Sequence, residues 1–216
     1  MAALTDLALG LVTLVLARRL PRDGDAARYW RATFGWAAAA ALLGAVYHGF
    51  LVDIPRVNVV TWAVTSTMVV VIVSYLLAAS VVDVLGRSRA GLFWPLRSIG
   101  LLAYAGFAVT GHPSITALML CESLTMVTVL GLWIWAWARH DPLAPPMLLA
   151  IAVSMAAGLL RIVPGAAAAI RLDAGSAYHL GQIVGMVLLY RAAARSRERR
   201  SVPSVRRPAE DSSTPS

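Results

Sequence analysis

The chain has no lysine; all 19 of its basic residues are arginine. That excludes a lysine Schiff base, and with it any retinal-type pigment or lysine nucleophile. Cysteine is nearly absent: Cys121 stands alone, so neither an intramolecular disulfide nor a thiolate zinc cluster can form. Charge is scarce, at 14% of residues, whereas hydrophobic types make up 59% and mean hydropathy is +0.71. Soluble domains sit nearer half apolar, so composition alone points to a membrane protein. No internal repeat suggests a transporter built from duplicated halves.

What is present is a succession of apolar runs. Seven can be marked, at roughly 3–17, 30–51, 59–82, 91–110, 114–138, 146–164 and 176–194. The first is short, about 22–24 Å as a helix. It differs from a signal peptide because Arg18 and Arg19 follow the apolar run instead of preceding it. The connections carry arginine unequally. The 17–31 loop holds Arg18, Arg19, Arg22, Arg28 and Arg31, the 83–97 stretch Arg87, Arg89 and Arg97, the 139–145 loop Arg139, and the tail seven more. In a seven-span arrangement all sixteen share one side, against Arg56, Arg161 and Arg171 on the other. The expectation is an all-α polytopic bundle of seven transmembrane helices over 1–195, with the N-terminus outside and the C-terminus cytoplasmic. A disordered basic and polar tail should occupy 196–216, with its arginines against anionic lipid headgroups. The tail lacks interleaved aromatics, so nucleic acid is not expected as a partner.

This topology assigns depths. His48 falls near the outer end of helix 2, and His179 near the outer start of helix 7. On helix 7, His179, Gln182, Met186 and Tyr190 share one face. Glu122 lies about 13 Å into helix 5 from the outer side. A polar face inside a lipid-length helix should look at protein or a water-filled cavity. The candidate ligand cluster is therefore His48, Glu122, His179, Gln182, Arg161 and Asp53, gathered in the extracytoplasmic half. Simpler roles compete. Arg161 can snorkel, and Asp53 and Asp173 can be solvated loop charges. Asp6 can cap helix 1 after Thr5, and Asp83 can pair with Arg87 one turn on. Gly181-xxx-Gly185 reads as a helix-packing patch, and Trp133, Trp135 and Trp137 as an interfacial belt.

Seven helices with histidines at the outer ends of helices 2 and 7 resemble the membrane hydrolase superfamily of alkaline ceramidases and adiponectin-receptor-like proteins. That resemblance implies a zinc site built from Ser-xxx-His on helix 2, His-xxx-His on helix 7 and an aspartate. Here helix 2 reads Gly44-Ala45-Val46-Tyr47-His48, so the histidine matches and the serine does not. Helix 7 reads His179-Leu180-Gly181-Gln182-Ile183, so one histidine matches and the other position is isoleucine. The pattern looks closer to a bacterial group of uncharacterised multi-pass proteins related to that fold.

The leading expectation is a non-enzymatic module in the cell membrane that binds a lipid or small-molecule ligand, or senses one. The alternative is a metal-dependent membrane lipid (amide) hydrolase. In it His48 and His179 would supply two nitrogens to zinc, Glu122 or Asp53 an oxygen, and Gln182 would orient a ligand. A third reading has the two histidines as axial haem ligands. Oligomeric state is left open.

Overall fold

The computed structural model of the protein describes residues 2–110, 115–163 and 171–200. Seven α-helices account for most of them: α1 (Ala2–Arg19), α2 (Ala27–Val46), α3 (Pro55–Leu85), α4 (Phe93–Val109), α5 (Ile115–Ala138), α6 (Ala144–Ile162) and α7 (Ala174–Arg200). A π-helical turn, Tyr47–Leu51, continues α2, and a 3-10 stretch, Arg87–Leu92, leads into α4. No strand occurs among the described residues. Local chemistry sets several ends. Pro55 opens α3, and prolines occupy the first turn of α6, where a missing N–H costs nothing. Gly86 ends α3 at φ 85°, a conformation glycine reaches without strain. Asp173 caps α7, accepting at 2.8 Å from the Ser176 amide and at 2.6 Å from its hydroxyl. Asp173 is therefore more than a solvated charge. Helix α7 also runs five residues past the expected boundary at 195, to Arg200. Its last five residues, 196–200, are arginine, serine and glutamate, types a helix accepts. The rest of the tail, 201–216, lies outside the described residues.

The helices form a ring. Helix α1 packs on α2, α2 on α3, α3 on α5, α5 on α6, α6 on α7, and α7 returns to α1; α4 lies against α5 and α3. Small residues bring two of these seams close. A Cβ on Gly10 would stand 2.8 Å from Leu42, and one on Gly181 would stand 2.6 Å from the Ala157 Cβ. Gly185 is likewise pressed onto Ser154, so the Gly181-xxx-Gly185 patch packs α7 on α6. The apolar core fills the end nearest the α1–α2 connection, around Trp30, Phe34, Leu77, Val81, Val129, Trp133 and Met147. Trp133 is part of this core and not of a surface belt. It is 1% exposed, and its indole donates to Ser80 at 3.1 Å. Trp135 and Trp137 remain on the outside. Trp30 donates to Asp83 at 2.7 Å, while Arg87 pairs with Asp25 at 3.3 Å.

Polarity is distributed inside out. Asp6, Thr13, Thr33, Ser80, Arg97, Glu122, Thr125 and His179 are buried. Phe50, Trp94, Leu102, Val109 and Val127 are each more than 60% exposed. Two segments, Ala27–Leu51 and Ala63–Leu85, are long and apolar enough to cross a membrane by length and composition, and Glu122–Ala138 and Ala144–Leu160 are shorter apolar helices.

Candidate functional site

At the end of the bundle opposite the apolar core, three helices meet on one carboxylate. Helix α1 begins at Ala2, which puts Asp6 in its second turn, beyond any capping position. Its side chain turns inward and is 6% exposed. His48 approaches through Nδ1, 2.7 Å from Oδ2, and His179 through Nε2, 3.1 Å from Oδ1. Each imidazole takes its own carboxylate oxygen.

His48 reaches Asp6 from the π-helical turn, which inserts an extra residue into the end of α2 and re-aims the side chains beyond it. One turn earlier, Gly44 lies flat against the carboxylate; a Cβ there would stand 3.0 Å from Oδ2. His179 enters from the second turn of α7, with a side chain 10% exposed. Its other nitrogen, Nδ1, is 3.1 Å from the Thr5 hydroxyl, which also contacts the Ala2 carbonyl at 2.9 Å. A hydroxyl has one proton to give. While Thr5 donates to Ala2, Nδ1 must donate to Thr5, Nε2 must donate to Asp6, and the ring holds both protons. If Thr5 turns its proton to His179, the ring is neutral.

His48 differs from His179 in exposure. Its side chain is 37% exposed. With Nδ1 donating to Asp6, Nε2 presents a lone pair, and no described residue bonds it. A carboxylate that fixes an imidazole in this way orients the far nitrogen as an acceptor for a ligand hydroxyl or ammonium. Among the described residues, no three His, Cys, Asp or Glu side chains converge on one metal position.

The other candidates disperse. Glu122 is buried on α5 with Arg97 of α4: Nη2 donates to Oε1 at 2.9 Å. Arg97 also donates from Nε to Ser74 at 2.9 Å and from Nη1 to Thr125 at 2.7 Å. Its side chain is 2% exposed, so it is an interior cation and not a loop arginine facing the cytoplasm. The other oxygen of Glu122, Oε2, is buried without a hydrogen bond. Gln182 donates to the Ser154 carbonyl at 3.0 Å and fastens α7 to α6. Asp53 is exposed in the turn after the π-helical segment. The side chain of Arg161 lies outside the described residues.

Two residues central to these networks, Asp6 and Arg97, are not in the expected cluster. Asp6 does carry a signal, since it shares the depth of both histidines. Arg97 carries a weaker one: a carboxylate inside an apolar helix requires a partner. Residues 1–198 match the profile of DUF6962, a family of unknown function, and the chain belongs to that family. No curated protein and no solved structure matches the chain. The family match fits the uncharacterised group and adds nothing to the likeness to alkaline ceramidases.

Proposed function

We propose that this member of DUF6962 is a multi-pass membrane protein, with all seven helices crossing the bilayer and the N-terminus outside. Its outer end binds a small polar ligand or a lipid headgroup at His48 without turning it over. Membrane residence is supported by the inside-out polarity, since a monomer in water rarely exposes so many large apolar side chains. With Arg97 set aside as buried, fifteen arginines still fall on the inner side against three on the outer.

The observation that carries the binding reading is the Asp6 carboxylate shared between a buried imidazole and a part-exposed one. His179 gives the buried carboxylate a hydrogen-bond partner, and Asp6 in turn fixes the ring of His48. The outward nitrogen is then pre-oriented for a ligand donor, and preorganisation lowers the cost of binding. Binding is favoured over turnover by Gly44. The ceramidase-like pattern has a serine there, and this chain packs bare backbone onto Asp6 instead.

The metal-dependent hydrolase reading is the weaker of the two, because no three described His, Cys, Asp or Glu side chains converge on one metal position. One experiment separates the two. Protein purified gently from its own membranes is analysed for metal and, by native mass spectrometry, for retained small molecules. We expect a bound organic ligand that His48→Ala loses and Asp53→Ala keeps. About one zinc per chain, lost in His179→Ala, would establish the metal site and sink the non-enzymatic reading. Wild type that retains neither ligand nor metal would sink both.

A further inference from the structure

The opposite end of the molecule carries a second candidate site. An apolar groove of about 470 Å³ runs between α3 and the start of α4, lined by Val71, Ser74, Tyr75, Ala78, Phe93 and Trp94. It adjoins a polar recess of about 380 Å³ bounded by Asp25, Arg28 and Arg87. Tyr29, Val82 and Ala90 line both, so the two form one channel with an apolar depth and a charged mouth. From Val71 to Val82 the groove follows α3 for about 16 Å.

We propose that this channel seats one anionic phospholipid of the inner leaflet, an acyl chain along α3 and the phosphate between Arg28 and Arg87. Charge complementarity commits the site to that occupant. Arg28 and Arg87 are exposed at the mouth, and among the described residues Asp25 is the one acidic side chain lining it. The Arg87–Asp25 contact is 3.3 Å, between side chains 75% and 39% exposed. Such a pair is weak, and the guanidinium can turn to a phosphate, which it grips with two parallel donors. Arg28 already lies over the Tyr29 ring at 4.5 Å, so it enters the mouth from a fixed position. Trp94, 70% exposed, stands where an indole belongs, between acyl chains and headgroups. Under the topology proposed above, this mouth opens on the cytoplasmic face, where basic pockets between helices hold anionic headgroups. The site rests on that topology but shares no residue with the His48 cluster, so loss of binding at either leaves the other standing.

The test uses the full chain in nanodiscs of phosphatidylcholine doped with phosphatidylglycerol brominated on its acyl chains. Quenching of Trp94 is read as the difference between wild type and Trp94→Phe. We expect brominated phosphatidylglycerol to quench Trp94 at roughly tenfold lower mole fraction than brominated phosphatidylcholine. In Arg28→Gln/Arg87→Gln that preference should vanish, while the helical circular dichroism stays as in wild type. Equal quenching by the two lipids would overturn the proposal. So would a preference that survives the double substitution, since the charge would then act from elsewhere. Inorganic phosphate that abolishes the preference at millimolar concentration would reassign the mouth to the free ion.

Discussion

Gly44 and Asp6 touch so closely that a single methyl group on Gly44 would lie 3.0 Å from the carboxylate oxygen that His48 uses. The contact makes residue 44 a sensor of the cluster. Gly44→Ala must push Asp6 off one of its imidazoles or part α1 from α2. We expect a loss of about 1–3 kcal/mol, read as a lower melting midpoint in detergent. Asp6→Ala, which removes the carboxylate, should make room for the added methyl and remove the sensitivity to alanine at 44. If the Gly44→Ala penalty were the same in wild type and in the Asp6→Ala background, the contact would be shown to be inert.

The buried pair on α4 and α5 predicts a different pattern. Seen alone in an apolar helix, Glu122 invites replacement by leucine as a stabilising change. Arg97 reverses that sign, because Glu122→Leu strands a buried guanidinium. The expected cost is about 3–5 kcal/mol. Glu122→Gln keeps an acceptor for Nη2 and should cost about 1 kcal/mol. Arg97→Met combined with Glu122→Leu should recover most of the loss. A thermal-denaturation double-mutant cycle measures the coupling; additive losses would mean that the pair does not act as one.

Topology has a direct readout. Under the proposed topology the arginine asymmetry keeps the tail inside. A C-terminal alkaline phosphatase fusion should therefore be inactive, and a C-terminal fluorescent fusion bright. The opposite pattern would invert the bundle, placing His48 on the cytoplasmic face and the lipid channel on the outer one.

Asp173 gives a pH dependence. Its bonds to Ser176, first from the hydroxyl and then from the amide, hold the carboxyl below its usual range. A group with a depressed folded value stabilises above its unfolded value, near 3.9, and the effect fades as pH falls through the lower folded value. Protection of the amides in the first turn of α7, taken relative to their intrinsic exchange at each pH, should therefore fall below about pH 4. Asparagine caps as well as aspartate but does not titrate there, so Asp173→Asn should flatten the profile. An unchanged acid response in that variant would assign it to another group.

Much of this molecule can be read from the chain. Apolar runs locate all seven helices to within a few residues, and counting turns puts His48 and His179 at the same end. What escapes are the partners. Asp6 shares the depth of both histidines, but nothing local says that it turns inward to meet them, and the side chains it bonds come from the π-helical turn and α7. Arg97 follows Pro95 in a stretch that also holds Arg87 and Arg89, and no local signal says that α4 turns this one inward. Trp133 groups with Trp135 and Trp137 because they alternate in sequence, although helical spacing separates their faces by about 200° per pair. Periodicity reports which side of a helix is apolar; it does not report which neighbour supplies a polar partner.

The ring of helices has an implication for how the protein is made. Of the seven described helices, α1 leaves the ribosome before the others and its neighbour α7 after them. Asp6 can meet His48 once α2 has followed, but the Thr5–His179 contact spans 174 positions. Until α7 has been made, the Asp6 carboxylate has half its partners, and the faces of α1 and α6 that α7 will cover are open. Closure of the ring therefore waits for α7. A nascent chain stalled anywhere before α7 would present an unfinished seam to quality-control proteases, so the seam between α1 and α7 reports whether the ring has closed.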